Sequence, residues 1–293
     1  MVPVSAGRPA NPPILAGSPF PVAVYTCVLL GLLTYCYWFG ISEMLDQWSH
    51  DEDMGHILIV PLFAGWIVWR DRRSWLSREI RPTWWGFGPL ALAAVLGHVA
   101  VAGAGKFASC VALLFAIAGV VLILGGLVLL RALAFPLLLL LFMLPKLALV
   151  YNQVTLPMQL VAARLAEFAL SAGGLHVVRS GNILQLPAFS VSVEEACSGI
   201  RYLLSLSFLA VVYADFARSG PWVMLGTMTA MAPIAILANA LRVAATALMG
   251  TANPKWAAGA MHETCGWLIF VAAMAAGVGV HWCLARARKC LHA

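Results

Sequence analysis

ASCVALLFAIAGVVLILGGLVLLRALAFPLLLLLFMLPKLALV, residues 108–150, holds only two charged side chains, Arg131 and Lys146. Each half of it, 108–130 or 132–150, is long enough to cross a hydrocarbon core of about 30 Å, which takes about 20 apolar residues in an α-helix. The whole 293-residue chain reads in the same way, with 62% hydrophobic and 10% charged residues. In lipid every backbone N–H and C=O must be satisfied within the protein, and helices do this within a single segment. The expected fold is therefore all-α: a polytopic membrane helical bundle of about eight transmembrane helices. Apolar length and breakers place the spans near 21–40, 56–70, 84–103, 107–130, 132–150, 197–215, 222–241 and 265–285.

Residues 1–20 carry Arg8, five prolines and no apolar run. They are expected to form a disordered cytoplasmic tail, followed by a single integral domain over 21–293 whose first span acts as an uncleaved signal. The seven cysteines show no CxxC spacing, and Cys27, Cys36, Cys110 and Cys283 sit in apolar runs. Neither a disulfide framework nor a zinc site is indicated. The acidic stretch from Glu43 to Asp53, with His50 and His56, reads as a solvated interfacial loop, because its carboxylates lack metal-ligand spacing. No metal, no cofactor and no nucleic-acid partner is expected.

Lys and Arg divide unevenly between the two faces of this scheme. Arg8, Arg70, Arg72, Arg73, Arg78, Arg81, Arg131, Arg218, Arg286, Arg288 and Lys289 make eleven on one side, against seven on the other. The richer side is expected to be cytoplasmic, with both termini there. Cys197 opens the sixth span, whose far end is marked by Asp215 and Arg218. Eighteen residues at 1.5 Å rise is ~27 Å, so Cys197 falls at the extracytoplasmic face. The seventh span returns Asn239 and Arg242 to that face. Gly250, Asn253-Pro254 and Lys255 then leave no room for a crossing before His262, from which one more crossing reaches Arg286.

Between the fifth and sixth spans lies an extracytoplasmic segment. LPMQLVAARLAEFALSAGG (156–174) has helical apolar spacing and predicts an amphipathic helix. LHVVRSGNILQLPAFSVSVEE (175–195) is rich in β-branched residues with Gly and Pro punctuation, and predicts one or two short extended segments.

Chemistry concentrates at one end of the spans. Cys197 follows Glu194-Glu195-Ala196, in what reads as the first turn of a helix, where free amides and the dipole favour a thiolate. Ser198 and Gly199 leave room for a substrate backbone. Taken alone, a cysteine in such a chain is ordinarily an inert small hydrophobe. Arg242 raises the stakes, since an arginine at membrane depth costs roughly 2.5–3.5 kcal/mol and either pairs, lines a functional cavity or snorkels to headgroups. Asn239, three residues earlier on the same face, can orient its guanidinium. Arg201 reads as a structural partner of Glu194 or Glu195. His262 titrates near neutrality and fits either a proton shuttle or an interfacial hydrogen-bonding role. A cysteine with a histidine is the recipe for an activated nucleophile, and an adjacent arginine stabilises an oxyanion.

EEACSGIRYL (194–203), NALRV (239–243) and HETCGWLIF (262–270) resemble the exosortase family, multi-spanning membrane transpeptidases of bacteria. SGNILQLP (180–187), FPLLLLLFMLP (135–145) and HILIVPLFAGWIVWRDRR (56–73) add to the resemblance. It implies a thiol enzyme of the bacterial inner membrane, with Cys197 as nucleophile and Arg242 and His262 completing the catalytic set. The implied substrates are secreted proteins with a C-terminal signal made of a Pro-Glu-Pro motif, a transmembrane helix and a basic tail. The cleaved protein would pass through a thioester to a surface glycolipid, a polysaccharide-linked acceptor or water. Two other classes stand beside this one. A transporter or flippase would spread ionisable residues through the bilayer depth, whereas these spans are nearly free of charge at their centres. A b-type haem protein would need paired ligands at matched depths, which His98, His262 and His281 do not supply.

Overall fold

The computed structural model describes residues 28–29, 31–50, 57, 59–144, 148–187, 189–193 and 199–291. The N-terminal tail, residues 51–56 with His56, and Glu194, Glu195, Cys197 and Ser198 lie outside the described residues. In chain order the elements are α1 (Trp38–His50), α2 (Ile59–Arg70), α3 (Arg72–Leu76), α4 (Phe87–Val99), α5 (Lys106–Leu139), α6 (Ala148–Ala172), β1 (Val178–Ser180), β2 (Ile183–Gln185), β3 (Ser190–Ser192), α7 (Ile200–Phe216), α8 (Pro221–Ala252) and α9 (Gly259–Leu291). Among the described residues four runs are long and apolar enough to cross a membrane: Trp84–Gly103, Phe107–Met143, Pro221–Ala252 and Gly259–Cys290. Ile59–Arg70 is a shorter apolar helix. The chain is thus a helical membrane protein, and its third expected span coincides with the first of these runs.

Other boundaries differ from expectation, each for a local reason. Helix α1 runs through His50, so the first part of the expected acidic loop is helical. The expected break at Arg131 does not occur, because arginine is a good helix former. The chain departs from helical geometry instead at Gly126, with φ 66° and ψ −167°, and α5 resumes to Leu139 and a 3-10 turn at Leu140–Met143. Only glycine readily tolerates that combination of φ and ψ, and a side chain at 126 would collide with the Arg81 carbonyl. Helix α8 passes Arg242 and Gly250 without interruption and stops at Asn253, whose side chain accepts from the Lys255 amide at 3.0 Å to open a 3-10 turn. Arg242 and His262 therefore sit within helices and not beyond their ends. Helix α7 begins at Ile200 with Gly199 as its cap; the expected first-turn placement of Cys197, and the helical turn linking it to Arg201, fall outside the described residues.

Helix α6 forms where the amphipathic segment is predicted. The region after it adds a small β-sheet to the otherwise helical fold: β1, β2 and β3 pair antiparallel in that order, three strands where one or two extended segments are expected. Gly181, at φ 65°, supplies the tight β1–β2 turn that suits strand twist. Leu184, Leu186 and Val193 leave this sheet to pack with Ala163, Ala166 and Leu170 of α6 and with Val243, Ala244 and Ala247 of α8. The tip of the Phe189 ring fills the space where Gly250 has no side chain. A second core joins the last three helices through Tyr202, Leu206 and Ala210, then Met231, Ala235 and Ala238, then Ala273. The small residues allow close helix approach where lipid offers no hydrophobic drive to associate.

Charge gathers at one end of the bundle. Arg70 at the end of α2 donates to Asp215 at the end of α7, at 2.6 and 3.2 Å, and to Asp71 at 2.8 and 3.0 Å. The Arg70 hydrogen bonds hold the Asp71 carboxyl below the usual carboxylate range, with Arg218 adding to the effect against a partial desolvation cost. A carboxyl whose folded pKa lies below the unfolded value of about 3.9 stabilises the fold above that value and loses its contribution as pH falls through the folded one. Thermal unfolding in detergent should thus be level from about pH 7 to 5 and decline below about pH 4, and Asp71→Asn should flatten part of that decline.

Candidate active site

The opposite end of the same helices carries a different set of polar residues. Three helices place them. On α8, Asn239, Arg242 and Thr246 recur at three- and four-residue steps and so share a face. All three are buried, Asn239 fully. On α7, Gly199 caps the helix in the left-handed region, at φ 88°, and Tyr202 follows one turn later. On α9, His262 and Gly266 are one turn apart.

Contacts knit these faces together. The Arg242 guanidinium lies over the Tyr202 ring, 5.1 Å from its centroid. The Tyr202 hydroxyl donates to the Gly266 carbonyl at 2.8 Å, tying α7 to α9 below the arginine. Gly266 itself presents no side chain where the Tyr202 hydroxyl and Arg242 Cδ approach; a Cβ there would lie 3.5 and 3.6 Å from them. Thr246 Oγ1 is 2.9 Å from the Arg242 carbonyl and 3.0 Å from His262 Nδ1. A cationic fork, an aromatic face and an imidazole therefore converge from α8, α7 and α9.

Gly199 fixes where the chain enters this cluster. A Cβ at 199 would come within 2.9 Å of Asn239 Cβ and 3.0 Å of Asn239 Cγ. Gly199→Ala combines this clash with a left-handed φ and is expected to lower stability by about 1–3 kcal/mol, measurable as a fall in the unfolding temperature in detergent.

Of the expected residues, the structure brings together Gly199, Asn239, Arg242 and His262. Arg201 is half-buried in the first turn of α7. Cys197, Ser198, Glu194 and Glu195 are outside the described residues, in the five-residue stretch between Val193 and Gly199. Both flanks of that stretch are anchored on α8: Val193 is buried in the cluster with Val243, Ala244 and Ala247, and its amide bonds the Asn182 carbonyl at 2.9 Å. Tyr202 and Thr246 were not expected here. A tyrosine in an apolar run reads as core, and a threonine bonded to its own helix leaves no sequence mark. The one available signal is that Thr246 follows Arg242 by one turn. Cys265, half-buried on α9, is a second cysteine near the cluster.

No curated protein and no solved structure matches the chain. The transmembrane exosortase (EpsH) family model matches residues 48–279, a stretch that takes in the whole cluster, and the chain belongs to that family.

Proposed function

We propose that the chain is a membrane-embedded cysteine transpeptidase or protease that cleaves the C-terminal sorting signal of secreted proteins. Cys197 is the nucleophile, His262 the general base and acid, and Arg242 the stabiliser of thiolate and oxyanion. The observation that carries this reading is the convergence of Arg242 and His262 in one cluster whose Asn239 meets Gly199, two residues from Cys197 in the chain. Two peptide units span at most about 7.6 Å, so connectivity keeps the thiol in reach of the cluster.

The reaction follows from these roles. His262 takes the Cys197 proton, and sulfur attacks the scissile carbonyl. Arg242 meets the negative charge on the carbonyl oxygen of the tetrahedral intermediate. As the C–N bond breaks, His262 returns the proton to the leaving amine, and a thioester remains. An acceptor amine, on a surface glycolipid or polysaccharide-linked carrier, or water then takes the acyl group and frees the thiol. The Arg242 fork, the buried Asn239 and the Tyr202 face are preformed, so little reorganisation accompanies the charge development.

The division of charge between the two ends supports a secretory-side site in a bacterial inner-membrane protein with both termini cytoplasmic. Arg70 and Arg218 gather at one end and Arg288 lies against Gly220 there, whereas Arg242 lies about 33 Å from Gly220 along α8 and His262 about 39 Å from Arg288 along α9, at 1.5 Å per residue. Exposed Trp222 and Trp282 mark the basic end, and exposed Trp256 and Trp267 the other, as interfacial belts do. The expected substrate has a Pro-Glu-Pro motif, a transmembrane helix and a basic tail, which together would present a scissile bond at the level of the cluster. Co-expression with a secreted protein bearing such a signal should yield a product shortened at its C-terminus. An unchanged substrate size would favour the transporter reading.

A further inference from the structure

Helices α8 and α9 are joined by two hydrogen bonds of the same kind at two levels. Near the candidate site Thr246 Oγ1 lies 3.0 Å from His262 Nδ1; at the basic end Thr227 Oγ1 lies 3.0 Å from His281 Nδ1. The two threonines and the two histidines have the same nineteen-residue separation, 227 to 246 and 262 to 281. In both pairs the threonine oxygen also meets the carbonyl one turn back in α8, Arg242 at 2.9 Å and Val223 at 2.7 Å.

This double contact determines where the imidazole proton is. A hydroxyl has one hydrogen, and a carbonyl can only accept. The hydrogen of each threonine is therefore committed to the carbonyl, and the bond to the ring is donated by Nδ1–H. Each neutral histidine is held as the Nδ1–H tautomer, with its lone pair on Nε2. At His281 that lone pair accepts from Ser219 Oγ at 2.9 Å, and the ring is satisfied on both sides. At His262 no described residue hydrogen-bonds Nε2. The same clamp thus closes one histidine and leaves the other with a single proton-accepting atom.

We propose that Thr246 is a positioning residue for acyl transfer, fixing His262 as the tautomer in which Nε2 is the base. The inference rests on the reading of His262 as the proton shuttle. When Nε2 takes the thiol proton, Nδ1–H keeps its bond to Thr246, so the ring stays in place through both halves of the proton transfer. The threonine is uncharged, and orients the ring without neutralising the Arg242 field beside it. No proton leaves Nδ1 at any stage.

Thr246→Val keeps the shape and removes the hydroxyl. It should lower kcat about 10–100-fold, a part of the 10²–10⁴ that general-base catalysis contributes, with KM nearly unchanged. Thr246→Ser should restore activity to within a few-fold of wild type. Thr227→Val removes the matching bond at the far end and should leave kcat per folded molecule unaltered. Nitrogen NMR of ¹⁵N-histidine-labelled protein in detergent, assigned with His262→Gln and His281→Gln, should show a protonated Nδ1 and a bare Nε2 at His262 in wild type. In Thr246→Val both tautomers should appear. A protonated Nε2 in the neutral wild-type ring, or equal kcat in Thr246→Val and wild type, overturns the proposal. Should Thr246→Val fail to fold, the wild-type tautomer and the Thr246→Ser rates still decide it. Full processing by Cys197→Ala would instead refute the underlying thiol mechanism, and the NMR result is read separately from that outcome.

Discussion

Cys197→Ala is expected to reduce processing of a co-expressed substrate to background, a loss of at least about 10³-fold, because without sulfur no thioester forms and water has no activated route. The substitution deletes one atom and no charge. The protein should therefore reach the membrane at normal abundance and unfold at the wild-type temperature, which separates lost chemistry from lost fold. Cys265→Ala, next to Gly266 on α9, tests the rival thiol. It should process substrate within a few-fold of wild type, since no sequence or structural feature supplies Cys265 with the glycine turn that precedes α7.

Arg242→Lys is expected to lower kcat by about 10²–10³-fold, the range seen when a preorganised oxyanion donor is removed. Charge alone does not suffice here. The guanidinium is buried, rests on the Tyr202 ring at 5.1 Å and offers a planar fork of donors. A lysine ammonium keeps the charge but presents it from a flexible stem with no planar face to stack on tyrosine. Single-turnover rates on reconstituted protein measure the effect. Wild-type rates in this variant would mean that Arg242 serves only to anchor α8 at the membrane surface.

The parts of the fold that were legible in sequence are those governed by apolar length. The third span at 84–103 and the existence of long helices across 107–143 and from 221 onward follow from the number of residues needed to cross hydrocarbon. Breaks were less legible because they depend on tertiary contact. Gly126 breaks α5 where Arg81 presses on it, whereas Gly250, the same residue type, stays helical and makes room for Phe189. Arg131 looked like a boundary because it is charged, yet charge does not end a helix. The strand-rich composition of 175–195 pointed to extended chain, and the third strand, Ser190–Ser192, is too short to show a period of its own.

The site was legible wherever a residue is expensive in its surroundings. Asn239, Arg242 and His262 stand out in apolar runs, and the structure brings them to one cluster. Tyr202 and Thr246 do not stand out, since one is half hydrophobe and the other hides its hydroxyl in its own helix. Their roles appear only when three helices are placed side by side: Tyr202 supports Arg242 from α7, and Thr246 joins the arginine's backbone to the histidine on α9.

The central claim is that a covalent acyl intermediate forms on Cys197. Wild-type protein in detergent, mixed with a substrate carrying the full C-terminal signal, quenched in acid and mapped by mass spectrometry, measures it directly. The mechanism requires the N-terminal part of the substrate attached to the peptide containing Cys197, discharged by hydroxylamine as thioesters are, and absent in Cys197→Ala. Processing that proceeds with no adduct at Cys197, or with the adduct on Cys265, would contradict it.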